Sequence, residues 1–326
     1  MTGIPERLEV VYYGDTGPVV ERAVAAALPG GWRLRVVRDA AEPAGRAALR
    51  AADAVVIVNR PVQKEQVALL DSARVVVHQG VGVDHFDVEA LRERGIPLVV
   101  TPAGTTGPVA EHTVLLMLAA CRRLREVTDA VVREHRWPSW DYRDVTVGLE
   151  GRRVGLAGFG RIGREVARRV LAFGALVTVY PGPRRSTVED RPDGVEVVTD
   201  LDELCRVSQV LSLHVPLRPE THHLLDRRRI GLLPAGAVVV NTARGQLIDE
   251  AALVEALTDG RLAAAGLDVL EAEPPGPGHP LLAMPNVVVT PHLASGTHES
   301  LLAKAASIAA TIGDAVAGRP LAHRYV

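Results

Sequence analysis

Three stretches of the chain carry side chains able to move a proton and hold an anion. VVVNTARGQLIDE contains Arg244, AGLDVLEAEPP contains Asp268 and Glu273, and NVVVTPHLASGT contains His292. Each follows a short apolar run that reads as a strand, and beyond the carboxyl ends of strands in an open parallel sheet is where ligands bind. An arginine, a carboxylate and a histidine gathered there suit hydride transfer to a carbonyl. The arginine can hold a substrate carboxylate and polarise the neighbouring carbonyl. The histidine can donate a proton to the forming alkoxide, and the glutamate can stabilise the protonated imidazole. Taken singly, each has a plainer explanation: an isolated histidine is usually structural, and Glu273-Pro274 could cap a loop.

Hydride transfer needs a donor, and RRVGLAGFGRIGREVARRV supplies a place for one. Gly158, Gly160 and Gly163 fall in G-x-G-x-x-G spacing between a strand and an amphipathic helix. Gly158 permits the tight turn, Gly160 lets a pyrophosphate approach the backbone, and Gly163 lets helix and strand pack closely. The helix N-terminus offers free N–H groups and partial positive charge to the phosphates. The next strand, ALVTVY, ends at Tyr180, about 20 residues on, where a carboxylate would bond the ribose of NAD. Here Pro181 follows, then Arg184 and Arg185 in YPGPRRS. A solvated loop is the ordinary fate of an arginine pair, but a guanidinium can grip a 2′-phosphate. With the acid missing, the loop favours NADP over NAD.

The elements that must position these residues alternate along the whole chain. LEVVYYG, WRLRVVR, DAVVIVN, ARVVVHQG and IPLVVTP are strand-like runs in the first hundred residues, separated by segments spaced like helices. After a helical stretch over 107–136, one long helix or two, the alternation restarts at RRVGLAGFG. It continues through ALVTVY, GVEVVTD, QVLSLHVP, AVVVNTA, AAAGLDVL and NVVVTP, and a closing helix follows. This rhythm predicts an α/β chain with two doubly wound parallel-sheet (Rossmann-like) domains and a cleft between them. We expect a discontinuous substrate-binding domain, 1–101 plus 293–326, with the last helix returning to it, and a dinucleotide-binding domain over 102–292.

Composition fits that expectation. The chain has 326 residues, 47% hydrophobic and 23% charged, with a formal net charge of −2. Nothing in that balance points to nucleic acid or an anionic membrane. Cys121 and Cys205 cannot build a disulfide framework in so long a chain and suit a reducing, cytoplasmic setting. The N-terminus reads as no secretory signal, and HTVLLMLAAC is about half a bilayer crossing and reads as a buried helix. No metal cluster is expected.

Taken together, these motifs resemble the D-isomer-specific 2-hydroxyacid dehydrogenase family over almost the full chain. GFGRIG is similar to its cofactor loop, and HVPLRPETHHLL to its H-x-P-L-x-x-x-T segment. NTARG, GLDVLEAEP and TPHLASGT are similar to the stretches carrying its catalytic Arg, Glu and His. The resemblance implies those roles for Arg244, Glu273 and His292. It implies cofactor contacts for Thr106, Arg161, Ile162, His214, Pro216, Thr221, Thr242, Asp268 and Ser295, with Asp268 and the Thr242 backbone near the nicotinamide carboxamide. HQGVGVDHFDVEALRERGIPLVVTPAGTTGPVAEH resembles the family's substrate loop and interdomain hinge, where domain closure would exclude water. There Gly80, Val81 and Gly82 would offer N–H groups to a substrate carboxylate, with Thr105 toward substrate. A simple glycine turn is the ordinary explanation of GVG. HRWPSW, with Trp137 and Trp140, resembles a segment near the family's dimer contact, implying a homodimer.

NAD-using members carry an acid directly after the position of Tyr180, whereas NADP-preferring glyoxylate and hydroxypyruvate reductases show a basic loop like YPGPRRS. Some members carry a substrate-binding arginine after the third strand of the first domain; here VVIVNRP puts Val58 near that position and Arg60 two residues on. The expected activity is NADP-preferring reduction of a small 2-oxo acid to the D-2-hydroxy acid, without a metal. Two rivals stand beside it. Formate-type chemistry on the same scaffold is disfavoured, because those members have an amide where this chain has Glu273, while phosphite oxidation stays open. A cofactor-sensing binding protein, as in the family's corepressor branch, would keep the same triad.

Overall fold

The computed structural model describes residues 6–182, 188 and 191–326. The chain divides into two compact units, Met1–Thr105 with Gly296–Val326, and Thr106–Ser295.

The first unit runs β1 (Leu8–Tyr13), α1 (Pro18–Ala27), β2 (Trp32–Val37), α2 (Pro43–Ala51), β3 (Ala54–Ile57), α3 (Lys64–Val67), β4 (Val75–His78), α4 (Val88–Glu93) and β5 (Leu98–Val100). The strands form one sheet in the order β2-β1-β3-β4-β5, and every pairing is parallel. Runs such as AVVI and VVVH are buried at every position, as strands covered on both faces must be.

The second unit begins with α5 (Thr106–Cys121) and α6 (Leu124–Val132), so the helical stretch is two helices. Arg123, at φ 52, breaks it. Then come β6 (Arg153–Ala157), α7 (Arg161–Ala172), β7 (Leu176–Tyr180), β8 (Val195–Val197), α8 (Leu201–Val207), β9 (Val210–Leu213), α9 (Arg227–Leu232), β10 (Ala237–Asn241), α10 (Glu250–Thr258), β11 (Leu262–Leu267), α11 (Pro280–Ala283) and β12 (Val287–Val289). The sheet order is β12-β11-β10-β9-β6-β7-β8, again all parallel. The chain order reverses between β6 and β9, the topological switch point where such sheets bind ligands.

The closing helix, α12 (His298–Val316), belongs to the first unit. Thr297 caps it, its hydroxyl oxygen accepting the Ser300 N–H at 3.1 Å. Ala305, Ile308, Ile312 and Val316 recur at helical spacing and are buried against Tyr12, Val77 and Val99. Full burial of each isoleucine or valine side chain contributes roughly 1.5–3 kcal/mol.

Both cysteines are free and buried. Burial pushes the Cys121 thiol up to about 11 and the Cys205 thiol up to about 12, so neither is a ready thiolate. No helix among the described residues is long and apolar enough to cross a membrane.

Candidate active site

Five strands of the second unit end level with one another. Ala157 pairs with Leu213, Leu213 with Asn241, Asn241 with Leu267, and Leu267 with Val289. The next residue of each strand therefore opens a loop on the same sheet edge: Gly158, His214, Thr242, Asp268 and Thr290. Every candidate of the second unit except Thr106 follows the end of one of these five strands or of β7 in the chain.

At the fingerprint, Gly158 adopts φ 110, and a Cβ there would meet the His214 carbonyl at 2.6 Å. A Cβ on Gly163 would lie 2.4 Å from the Gly158 carbonyl oxygen, so the first turn of α7 sits directly on the loop. Gly160, the residue capping α7, has nothing within 4 Å of that position. The open side of the loop thus lies over the N-terminus of α7, where Arg161 and Ile162 begin the helix, as a phosphate group requires. Arg184 and Arg185 lie outside the described residues.

His214 follows β9 and is partly buried. Burial pulls its imidazole down to about 4, so it is neutral at physiological pH, with Nε2 3.0 Å from the Ser212 hydroxyl. Thr221 is buried, and its hydroxyl contacts the Pro216 carbonyl at 2.7 Å and the Arg218 N–H at 2.8 Å. That side chain ties the 216–221 loop together.

The NTARG turn is organised by Asn241, a fully buried residue that sequence reasoning missed. Its amide donates to the Arg244 carbonyl at 2.8 Å and accepts the Ala243 N–H at 3.0 Å. Thr242 is held through its hydroxyl, 2.8 Å from that of Thr113 on α5. Arg244 contacts its own turn at the Ala243 carbonyl, 2.8 Å away.

Asp268 is 1% exposed. One carboxylate oxygen accepts the Thr290 hydroxyl at 2.6 Å and the Leu293 N–H at 3.0 Å, and the other accepts the Ala294 N–H at 2.9 Å. It therefore grips the loop that carries His292 and leads to Ser295. His292 sits at φ 50 with its N–H bonded to the Asp268 carbonyl at 2.8 Å. A left-handed backbone is uncommon outside glycine, though histidine adopts it more readily than most residues, and here the bonds to Asp268 fix it.

The geometry brings Glu273 and His292 together: Oε2 lies 2.7 Å from Nδ1, while Oε1 accepts the Leu270 N–H at 3.1 Å. Burial raises the Glu273 carboxyl, but the His292 contact, the Leu270 N–H and the Arg244 charge outweigh it and hold it below the usual value. The Arg244 charge therefore reaches the Glu273 carboxylate. A carboxylate, an imidazole it orients and a nearby guanidinium can together hold an anion and exchange one proton. Among the described residues, no group of three or more His, Cys, Asp or Glu could hold a metal ion.

In the first unit, Val81 is 44% exposed, Gly82 lies beside it, and the neighbouring Gly80 carbonyl accepts the Thr101 N–H at 2.8 Å. The Thr105 hydroxyl is buried and has no hydrogen-bond partner among the described residues, a state that ordinarily calls for a ligand or water. Thr106 opens α5 in the second unit.

Residues 114–294 match the family model described as D-isomer specific 2-hydroxyacid dehydrogenase, NAD binding domain. The chain is 40% identical over 270 residues to a D-3-phosphoglycerate dehydrogenase of Methanocaldococcus jannaschii. That match covers 82% of this chain and 50% of the relative, so the chain spans about half the length of that enzyme. It is 38% identical to a glyoxylate reductase of Korarchaeum cryptofilum over 82% of both chains. Among solved structures it resembles TT0316 of Thermus thermophilus, with a TM-score of 0.85 and 36% identity over 97% of this chain and 100% of that one. The chain belongs to the D-isomer specific 2-hydroxyacid dehydrogenase family of NAD(P)-dependent oxidoreductases.

Proposed function

We propose that this chain is an NADP-preferring reductase of a small 2-oxo acid, with glyoxylate and hydroxypyruvate as first substrates and the D-2-hydroxy acid as product. The observation that carries the reading is the 2.7 Å contact between Glu273 and His292 beside the Arg244 charge. The loops from β12 across to β7 span five strand spacings, about 24 Å, enough for one extended dinucleotide. The Gly158–Gly163 turn and the N-terminus of α7 take its phosphates, with His214, Pro216 and Thr221 shaping the adjoining wall. Arg184 and Arg185 take the 2′-phosphate. Thr106, Thr242, Asp268 and Ser295 complete its contacts.

The reduced nicotinamide, when bound, supplies the hydride. In the second unit Arg244 holds the substrate carboxylate; in the first unit the Val81 and Gly82 N–H groups and the Thr105 hydroxyl are the groups offered to substrate. His292 donates the Nε2 proton to the substrate oxygen as charge builds there, and Glu273 stabilises the imidazolium through Nδ1. The same residues run the reverse reaction, with His292 accepting the proton.

We place the protein in the cytoplasm as a homodimer. Trp137 and Trp140, 82% and 69% exposed, and Leu124 and Val132 offer apolar surface for a second copy.

The test is a spectrophotometric screen of 2-oxo acids with NADPH and NADH side by side, with phosphite and D-3-phosphoglycerate as oxidation arms. Faster NADPH oxidation with glyoxylate or hydroxypyruvate is the expected result. Turnover of phosphite or D-3-phosphoglycerate alone, or of nothing, overturns the reading.

A further inference from the structure

We propose that His112 is a positioning residue for the proton donor His292, an inference that rests on the role given to His292 above. His112 lies on α5, and its side chain is only 10% exposed. Its Nε2 atom is 2.8 Å from the Thr290 hydroxyl and 3.5 Å from an Asp268 carboxylate oxygen. The Thr290 hydroxyl has one proton and donates it to that carboxylate at 2.6 Å. Its oxygen must therefore accept from the imidazole, which makes His112 Nε2–H the donor. The chain of bonds runs from His112 through Thr290 to Asp268, wholly within one unit.

What this chain holds is the loop around His292. Asp268 takes the Thr290 hydroxyl on one side of the histidine and the Leu293 and Ala294 N–H groups on the other. The His292 backbone stays left-handed between them, its N–H bonded to the Asp268 and Thr290 carbonyls at 2.8 and 3.0 Å. These bonds together hold the loop, and with it the His292 ring, in one conformation. His112 is the outer strut, anchored on a helix that packs against β10, β11 and β12. Without it the Thr290 hydroxyl is free to turn, the grip of Asp268 loosens, and the imidazole leaves Glu273.

Nitrogen-15 NMR of the full chain labelled at histidine reads this directly, at a pH where the imidazoles are neutral. A free neutral imidazole carries its proton mainly on Nε2, whereas Glu273 holds the His292 proton on Nδ1. Wild-type protein should show the Nδ1–H form. His112→Leu and Thr290→Val should move it toward Nε2–H. His112→Gln, whose amide nitrogen replaces Nε2, should keep the wild-type pattern. With the best 2-oxo acid, kcat should fall about 10²-fold in the first two variants, a larger change than any rise in the coenzyme KM. The double variant should be no slower than either single one. Wild-type tautomer and kcat in His112→Leu and Thr290→Val, or multiplicative losses in the double variant, would overturn the proposal. Should His112→Leu not fold, Thr290→Val against His112→Gln gives the same contrast. If the wild type turns over no 2-oxo acid with either coenzyme, the functional reading falls, and the tautomer contrast still decides the role of His112.

Discussion

The Nδ1 atom of His292 lies 2.7 Å from one Glu273 oxygen, while the Leu270 N–H occupies the other. The contact directs the ring. With Nδ1 committed to the carboxylate, Nε2 is the nitrogen left to meet substrate: a donor when the ring is charged, an acceptor when it is neutral. At 50% exposed, the His292 side chain is open to that encounter.

Replacing His292 with alanine should lower kcat about 10³-fold, the scale of a lost general acid, with coenzyme affinity little changed. Glu273→Gln keeps an acceptor but loses the charge that stabilises the imidazolium. Reduction by that variant should slow at neutral pH and recover as acid supplies the proton. In the wild type the Glu273 carboxyl is held below its ordinary value of 4.5, so its contribution is complete above that value and is lost only as pH falls further. Steady-state pH profiles of the two proteins check both signs. A Glu273→Gln profile that matches wild type contradicts the role of the pair.

The strands and the sheet edge were legible because parallel strands buried on both faces are nearly continuous apolar runs. AVVVN, LAAAGL and VVV end just before Thr242, Asp268 and Thr290. The residues that lock the site were not. Asn241, Thr113, Thr290 and His112 read as ordinary polar positions, because what gives them meaning is a partner distant in sequence, 178 residues away for His112 and Thr290. One signal was present: His112 and Thr113 open the apolar run HTVLLMLAAC, and polar side chains carried into the core by such a helix must find hydrogen-bond partners there. The break between α5 and α6 gave no such sign, since arginine is seldom left-handed.

Two glycines of the fingerprint should fail differently. A methyl on Gly163 meets the Gly158 carbonyl at 2.4 Å, so Gly163→Ala should cost about 1–3 kcal/mol of stability and lower the melting temperature. A methyl on Gly160 meets nothing, so Gly160→Ala should melt like wild type and lose coenzyme affinity alone. Thermal melts with and without NADPH separate the two. An intact coenzyme response in Gly160→Ala would mean that phosphate does not approach there.

Arg184→Ala combined with Arg185→Ala should raise KM for NADPH about 10- to 100-fold, the loss of one or more hydrogen bonds to a charged group, and leave KM for NADH where it was. Measuring both coenzymes on the same preparation cancels errors in active concentration. Equal losses for the two would assign the arginines a general electrostatic role, and no loss would leave the missing acid after Tyr180 as the only basis for NADP preference.

His214 gives stability a pH dependence of known sign. Its imidazole is pulled by burial from 6.5 to about 4, so between those values the unfolded chain binds a proton that the folded chain does not. Stability from this group is complete above the unfolded value and falls as pH drops toward the folded one, by roughly 3 kcal/mol at full extent. His214→Gln keeps a polar partner for Ser212 but cannot titrate. Urea unfolding of both proteins at about pH 7 and about pH 4 should show a smaller acid-induced loss in the variant. An equal loss in both would mean that His214 is protonated in the folded state, and that this wall of the coenzyme loop carries charge.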